Sequence, residues 1–403
     1  MRLFSTTPLL HLLILSCLFS HVHPLCHPDE SAALLELKDS FIIRQNASVD
    51  PLAYPKVASW SSKEKDDCCS WDGVECDEHN SHSLNLAHND FNGSLIPYQL
   101  SHLPSLTYLD LSDSIFAGQI PLEISQLSNL SFLDLSQNQL ELKRPDFSTF
   151  VRNLSKIKYL SLSYVDISSP VPSFLANFSS LTSLRLEHCG LYGEFPIDIF
   201  QLPNLQFLVL TKNTNLTGSF PEFHAECGFH GPLPSSLSRL SNLQLLELGR
   251  NAFSGTVDFN MFLNMKNLTI FGLSGNMLSV LIRENRTTIS TNATLPKFKI
   301  LSLGSCNLTT FPGFLRHQYG LTRLDLSNNS MHGKVPKWIW NTSIEILDIH
   351  DNFCTGFSID VLPSMSLRYL DFSRNSFMGA LPIPPPSTNY FDGSKNELSG
   401  EIS

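Results

Sequence analysis

The chain is short of charge, and of positive charge above all. Of its 403 residues only 16% are charged, and 27 Lys and Arg stand against 37 Asp and Glu, giving a net charge of -10. No broad basic surface can be built from that balance, which argues against nucleic acid or an anionic membrane as partner, while a basic patch on a partner is allowed. Beyond the N-terminal segment no run of eighteen apolar residues occurs, so no transmembrane helix is expected in this chain. No kinase-type glycine loop and no H-R-D sequence is present, and the cysteines lack a paired C-x-x-C frame. We therefore expect no enzyme, no cofactor and no metal.

What the chain does have is 42% hydrophobic residues and 24 prolines, enough for a large core crossed by many turns. The N-terminus, with Arg2 ahead of an apolar run from Leu9 to Phe19, reads as a secretory signal peptide over residues 1–24. Sequons at Asn46, Asn92, Asn129, Asn153, Asn177, Asn215, Asn267, Asn285, Asn292, Asn307, Asn328 and Asn341 point the same way, towards a glycosylated protein of the secretory pathway. An Asn- and Ser-rich repeat also produces such triplets by chance.

The stretch Leu321 to Trp338 explains most of the rest, because the chain repeats it imperfectly. Leu324 and Leu326 are two apart and point inward from a short strand, while Arg323 and Asp325 point outward. Asn329 follows where the chain turns away and its amide can bond backbone groups that the turn leaves unpaired. Gly333 permits a bend and Pro336 favours an irregular return path. This is a leucine-rich repeat, and since one coil has no core of its own the fold is a solenoid. The second strand leucine recurs as Leu86, Leu111, Leu135, Leu162, Leu186, Leu210, Leu248, Leu273, Leu303, Leu326, Ile349 and Phe372. In the asparagine column Ser114, Cys189 and Cys306 can still reach a carbonyl, whereas Val165 cannot, so its coil is expected to be looser. Cys189, Cys306 and Cys354 are expected to be buried free thiols, and Cys227 stays unassigned.

Ahead of the repeats, Ser31 to Phe41 has Ala33, Leu34, Leu37 and Phe41 at helical spacing, with Asp29 or Ser31 to cap it. Cys26, Cys68, Cys69 and Cys76 form an even set with three pairings open. We read residues 25–80 as a disulfide-stapled cap and 81–403 as repeats.

The helix, then CCSWDGVEC, then repeats of the form LxxLxxLxLSxNxLxGxIP resembles the extracellular part of plant leucine-rich-repeat receptor-like proteins and receptor kinases. The leaf-mould-resistance and Verticillium-resistance class looks closest. The resemblance implies pairing of Cys26 with Cys68 and of Cys69 with Cys76. It also implies a right-handed curved superhelix of the α/β repeat type, a protein or peptide ligand, a receptor kinase as co-receptor, and the outer side of the plasma membrane. Two steps break the register: Cys76 to Leu84, where the family usually has a complete first repeat, and Leu210 to Leu248, where Glu222 to Gly231 has no LxxLxL. Since a missing half-coil would leave strand edges exposed, we expect internal deletions, and Asn389 to Ser403 stops within a coil. Alternatives to a receptor are a soluble inhibitor of a microbial wall-degrading enzyme and a truncated decoy.

Chemistry is thin. His79 and His82 form H-x-x-H, read as an exposed polar loop, and the column Asp110, Asp134, Asp325, Asp348 and Asp371 is read as solvated ladder partners of an LDLS consensus. Leu278 to Pro296, with two sequons, is read as a convex glycosylated loop. The informative surface is the outward strand face, where Tyr108, Asp110, Phe132, Asp134, Tyr159, Arg185 and Phe207 are the candidate ligand contacts.

Overall fold

The computed structural model describes residues 26–42, 56–61, 67–77, 82–219, 239–282, 295–359, 362 and 366–400. The signal segment, His79, Cys227, the Glu222–Gly231 stretch and the sequons Asn46, Asn285 and Asn292 lie outside the described residues.

The cap begins with the helix Pro28–Asp39. Pro28 takes the first helical position, where a missing N–H costs nothing, and the ring of His27 accepts a bond from the Asp29 backbone. The expected cap at Asp29 or Ser31 is thus displaced, and Asp29 and Glu30 sit instead in the first turn, where their charge suits the helix dipole. Ala33, Leu34, Leu37 and Phe41 are buried as their spacing requires. Phe41 packs against Phe91 of the first repeat at 4.5 Å, and Trp60 stacks on Trp71 while its indole N–H donates to the Asp72 carbonyl. Disulfides join Cys26 to Cys68 and Cys69 to Cys76.

From there a 14-stranded sheet runs the length of the protein. Val74–Cys76 pairs antiparallel with His82–Asn85, and every later pairing is parallel. Most of these strands are three residues long and stay in step, so Tyr108 faces Phe132, Phe132 faces Tyr159, and Tyr159 faces Ser183. Each second strand leucine is fully or almost fully buried, which makes one continuous core shared between coils. Outside, short 3₁₀ turns such as Leu122–Gln126, Ser173–Asn177 and Lys337–Asn341 follow Pro121, Pro172 and Pro336. The repeat's proline therefore starts a turn of helix, which suits its fixed φ. Gly333, at φ 82°, makes the bend expected of it.

The asparagine column is a ladder. Asn329 donates to the carbonyls of Leu303, Leu326 and Ser327, and its oxygen accepts from Cys306 and Leu308 of the coil before. Where the asparagine is replaced, Ser114 Oγ reaches the Leu86 carbonyl at 2.7 Å and Cys189 Sγ the Leu162 carbonyl at 3.1 Å. The coil of Val165 is not loosened as expected: Val165 is completely buried and its strand keeps register with both neighbours, because packing replaces the bond. Cys189, Cys306 and Cys354 are buried and free.

Two further expectations change. Across the long step the strands Phe207–Val209 and Leu245–Glu247 pair directly, and Asn213 donates through its backbone to Asn251 Oδ1 at 2.8 Å. The exposed edge expected there is absent among the described residues, since the coils on either side stack on each other. The start of the expected convex loop is also ordered: Met277–Leu281 is a strand of a second, 4-stranded sheet with Tyr192–Glu194, Asn215–Ser219 and Ala252–Asp258. No helix among the described residues is long and apolar enough to cross a membrane.

Candidate ligand-binding face

Because successive strands stay in step, the residue before the first strand leucine stacks on its counterpart one coil away. Tyr108 and Phe132 lie 4.0 Å apart at 12°, and Phe132 and Tyr159 lie 4.2 Å apart at 7°. The next coil supplies only Ser183 at this place, and the gap is filled from the neighbouring column. The Arg185 guanidinium lies 5.9 Å from the Tyr159 ring centre and 5.5 Å from that of Phe207, and its Nε donates to Ser183 Oγ. Tyr108, Phe132, Tyr159, Arg185 and Phe207 thus form one strip across five coils. Ring faces are used up between coils, so a ligand meets ring edges and the guanidinium.

The acidic column lies beside the strip and is bound to it. The Tyr159 hydroxyl donates to Asp134 at 3.1 Å and the Tyr108 hydroxyl to Asp110 at 3.4 Å. Burial, then the nearby carboxylates, push both phenols up to about 12, so they remain donors at any physiological pH. Asp134 is only 8% exposed, and burial raises its pKa against the pull of the Ser136 bonds. The reading of these aspartates as solvated partners is therefore corrected. Asp110, Asp325, Asp371 and Asp392 accept from the backbone of the serine two residues on, as Asp134 does from Ser136, and they brace the turn that follows the strand. The D-L-S spacing carried that signal in the sequence.

Farther along, Glu247 leans over Gly272, where a Cβ would meet its Oε2 at 2.2 Å, and burial lifts its pKa to about 7 although Arg323 opposes this. Asp348, His350 and Asp371 offer donor atoms within 4.8 Å of one another, but His350 Nδ1 already holds Asp348 at 2.6 Å and Asp371 accepts from Ser373, so the group is an internally bonded set. Tyr369 and Tyr390 stack at 4.3 Å and close this half.

His82 overturns the exposed-loop expectation. It is 8% exposed and its Nε2 lies 3.1 Å from Glu30 of the cap helix. Of the described sequons, Asn92 is half-buried and Asn129, Asn153, Asn177, Asn215, Asn267, Asn307, Asn328 and Asn341 are exposed.

Comparison with known proteins agrees with this architecture. Residues 27–77 match the leucine rich repeat N-terminal domain, and residues 320–342 match the leucine rich repeat. Receptor-like protein 6 of Arabidopsis thaliana is 28% identical over 579 residues, taking in 94% of this chain and 58% of that one. The aligned span is longer than the 403 residues here, so the relative carries interior stretches that this chain lacks. Receptor-like protein Cf-9 of Solanum pimpinellifolium is 34% identical over 51% of this chain and 28% of its own. Among solved structures, the plant peptide hormone receptor RGFR1 in complex with RGF2 superposes with a TM-score of 0.56 at 27% identity, over 83% of this chain and 54% of that one. The chain thus spans less than two thirds of these relatives. With its stapled cap and in-step coils the chain carries a leucine-rich-repeat N-terminal domain followed by leucine-rich repeats, and it is similar to the plant leucine-rich-repeat receptor-like proteins.

Proposed function

We propose that the chain is the ligand-recognition part of a plant cell-surface receptor, exposed on the outer side of the plasma membrane, and that it senses a peptide or protein in defence signalling through a partner receptor kinase. The observation that carries this reading is the strip Tyr108, Phe132, Tyr159, Arg185 and Phe207, rigid and held in register, with hydroxyls and carboxylates along one side. Aromatic and Arg side chains supply most interface energy, and a preformed row of them loses little entropy on binding. That relatives are named receptor-like proteins, and that a solved likeness holds a peptide hormone, supports the assignment.

The test is to join the chain to a membrane anchor in plant cells and record the response to fractionated peptides from microbial culture. Arg185→Ala and Phe132→Ala should weaken a response by about tenfold or more, the usual range for a central anchor. Gln126→Ala on the outer turns should not. Equal losses from both faces, or inhibition of a wall-degrading enzyme by the soluble chain, would move the assignment to one of the alternatives.

A further inference from the structure

Away from the strip, on the flank of the solenoid, lies a cavity of about 560 Å³. Its rim is a row formed by Tyr164, His188, Lys212 and Arg250, all with left-handed backbone (φ 53° to 69°) at the same place in successive coils. Repetition of one turn thus aims four long side chains to the same side.

The lining is largely apolar, and the polar groups set in it are nearly balanced in charge. Lys212 Nζ lies 2.8 Å from Glu187 and 3.0 Å from the Tyr164 hydroxyl, which in turn donates to Glu187 at 3.0 Å, and Asp166 is held by Lys143. The Tyr164 and His188 rings stand 5.4 Å apart and give one wall an apolar face. Donors, acceptors and ring faces without a large net charge suit a neutral, hydroxyl-rich ligand better than an ion.

Such a ligand is attached to the cavity by the sequence. Asn215 lines it, is exposed, and begins the triplet Asn215-Leu216-Thr217, whose Thr217 is exposed as well. We propose that the cavity holds the first sugars of an Asn215-linked glycan of this chain. The glycan closes the flank over Arg250 and Lys212, so this depression, despite its size, is not free for an outside ligand.

The secreted protein, made in a plant host and kept folded, decides the matter. Peptide mass spectrometry should find Asn215 glycosylated, and an N-glycanase should release that glycan about tenfold more slowly than those at Asn177 and Asn341, the protection that roughly two neutral hydrogen bonds give. The double variant Tyr164→Ala, Arg250→Ala should keep the site occupied and bring release up to the rate of the other sites. An unmodified Asn215 overturns the proposal, and so does release from the wild-type protein at the common rate, a measurement that does not depend on the variant folding. Unchanged slow release from a folded double variant overturns it too.

Discussion

Glu30 of the cap helix and His82 of the first repeat strand face each other at 3.1 Å, with both side chains about nine-tenths buried. This contact, next to the Cys69–Cys76 disulfide, is one of the polar contacts that fasten the cap to the solenoid, beside those of Lys56 with Asn85 and Asn89. Replacing Glu30 by Ala strands His82 in a dry place and should cost about 1–3 kcal/mol in chemical denaturation. Leu35→Ala, on the same helix but only partly buried, should cost less. Equal losses would remove the pair from any special role.

The Asn329 side chain bonds its own coil and the coil before it, and no small residue replaces all of those bonds. Asn329→Ala should therefore lower stability by about 2 kcal/mol or more. Ser114→Ala, which removes the bonds to the Leu86 and Ser112 carbonyls and the one accepted from the Asn89 backbone, should lower it by less. Urea unfolding of the two variants gives the comparison.

Burial raises the folded pKa of Glu247 to about 7, above its ordinary 4.5. Between those values the native state binds more protons than the unfolded one, so this residue makes stability fall as pH rises from about 4.5 to 7. Glu247→Gln should remove that slope and stabilise the protein near neutrality by on the order of 1 kcal/mol, the shift being discounted for solvent screening. Melting temperatures of both proteins across this interval test it. A parallel pair of curves would count against it.

Arg185→Ala uncovers the ring faces of Tyr159 and Phe207 and removes two cation–π contacts. Its folding cost should be about 1 kcal/mol, since such contacts at accessible sites are worth roughly 0.5–1 kcal/mol each. A melt that shows a much larger loss would mean that Arg185 serves the fold more than the surface.

The thiols of Cys189, Cys306 and Cys354 are pushed up to about 12 by burial. Alkylating reagent should leave them untouched at pH 8 in the folded protein and label all three once it is unfolded. Mass spectrometry reads the difference directly.

Much of this was legible in the sequence. The leucine and asparagine columns gave the strand positions, and even the substitutes Ser114 and Cys189 behave as their chemistry requires. The outward strip was found as a set of residues, but its structure was not, because nothing local says that Arg185 crosses into the place left by Ser183. The aspartates were misjudged because a strand consensus suggests ladders, while the bonds actually run to the serine two residues on. His82 was misjudged because burial there depends on Glu30, more than fifty positions earlier. The second sheet arises only when flanking turns of successive coils meet, a property of stacking that no single repeat contains.

The in-step register of the strip has one more consequence. Neighbouring coils are ~4.8 Å apart, whereas an extended peptide advances ~3.3 Å per residue, so two coils measure nearly the same length as three peptide residues. From Tyr108 to Phe207 the strip covers four such spacings, ~19 Å, which matches about six residues of ligand. The surface therefore acts as a vernier. In a fully extended peptide, whose side chains alternate faces, roughly every sixth side chain returns to an equivalent position on the same side. In a polyproline II peptide, with ~3.1 Å per residue and about three residues per turn, every third one does, so a ligand with anchors at that spacing would fit where one with alternate anchors would drift out of phase.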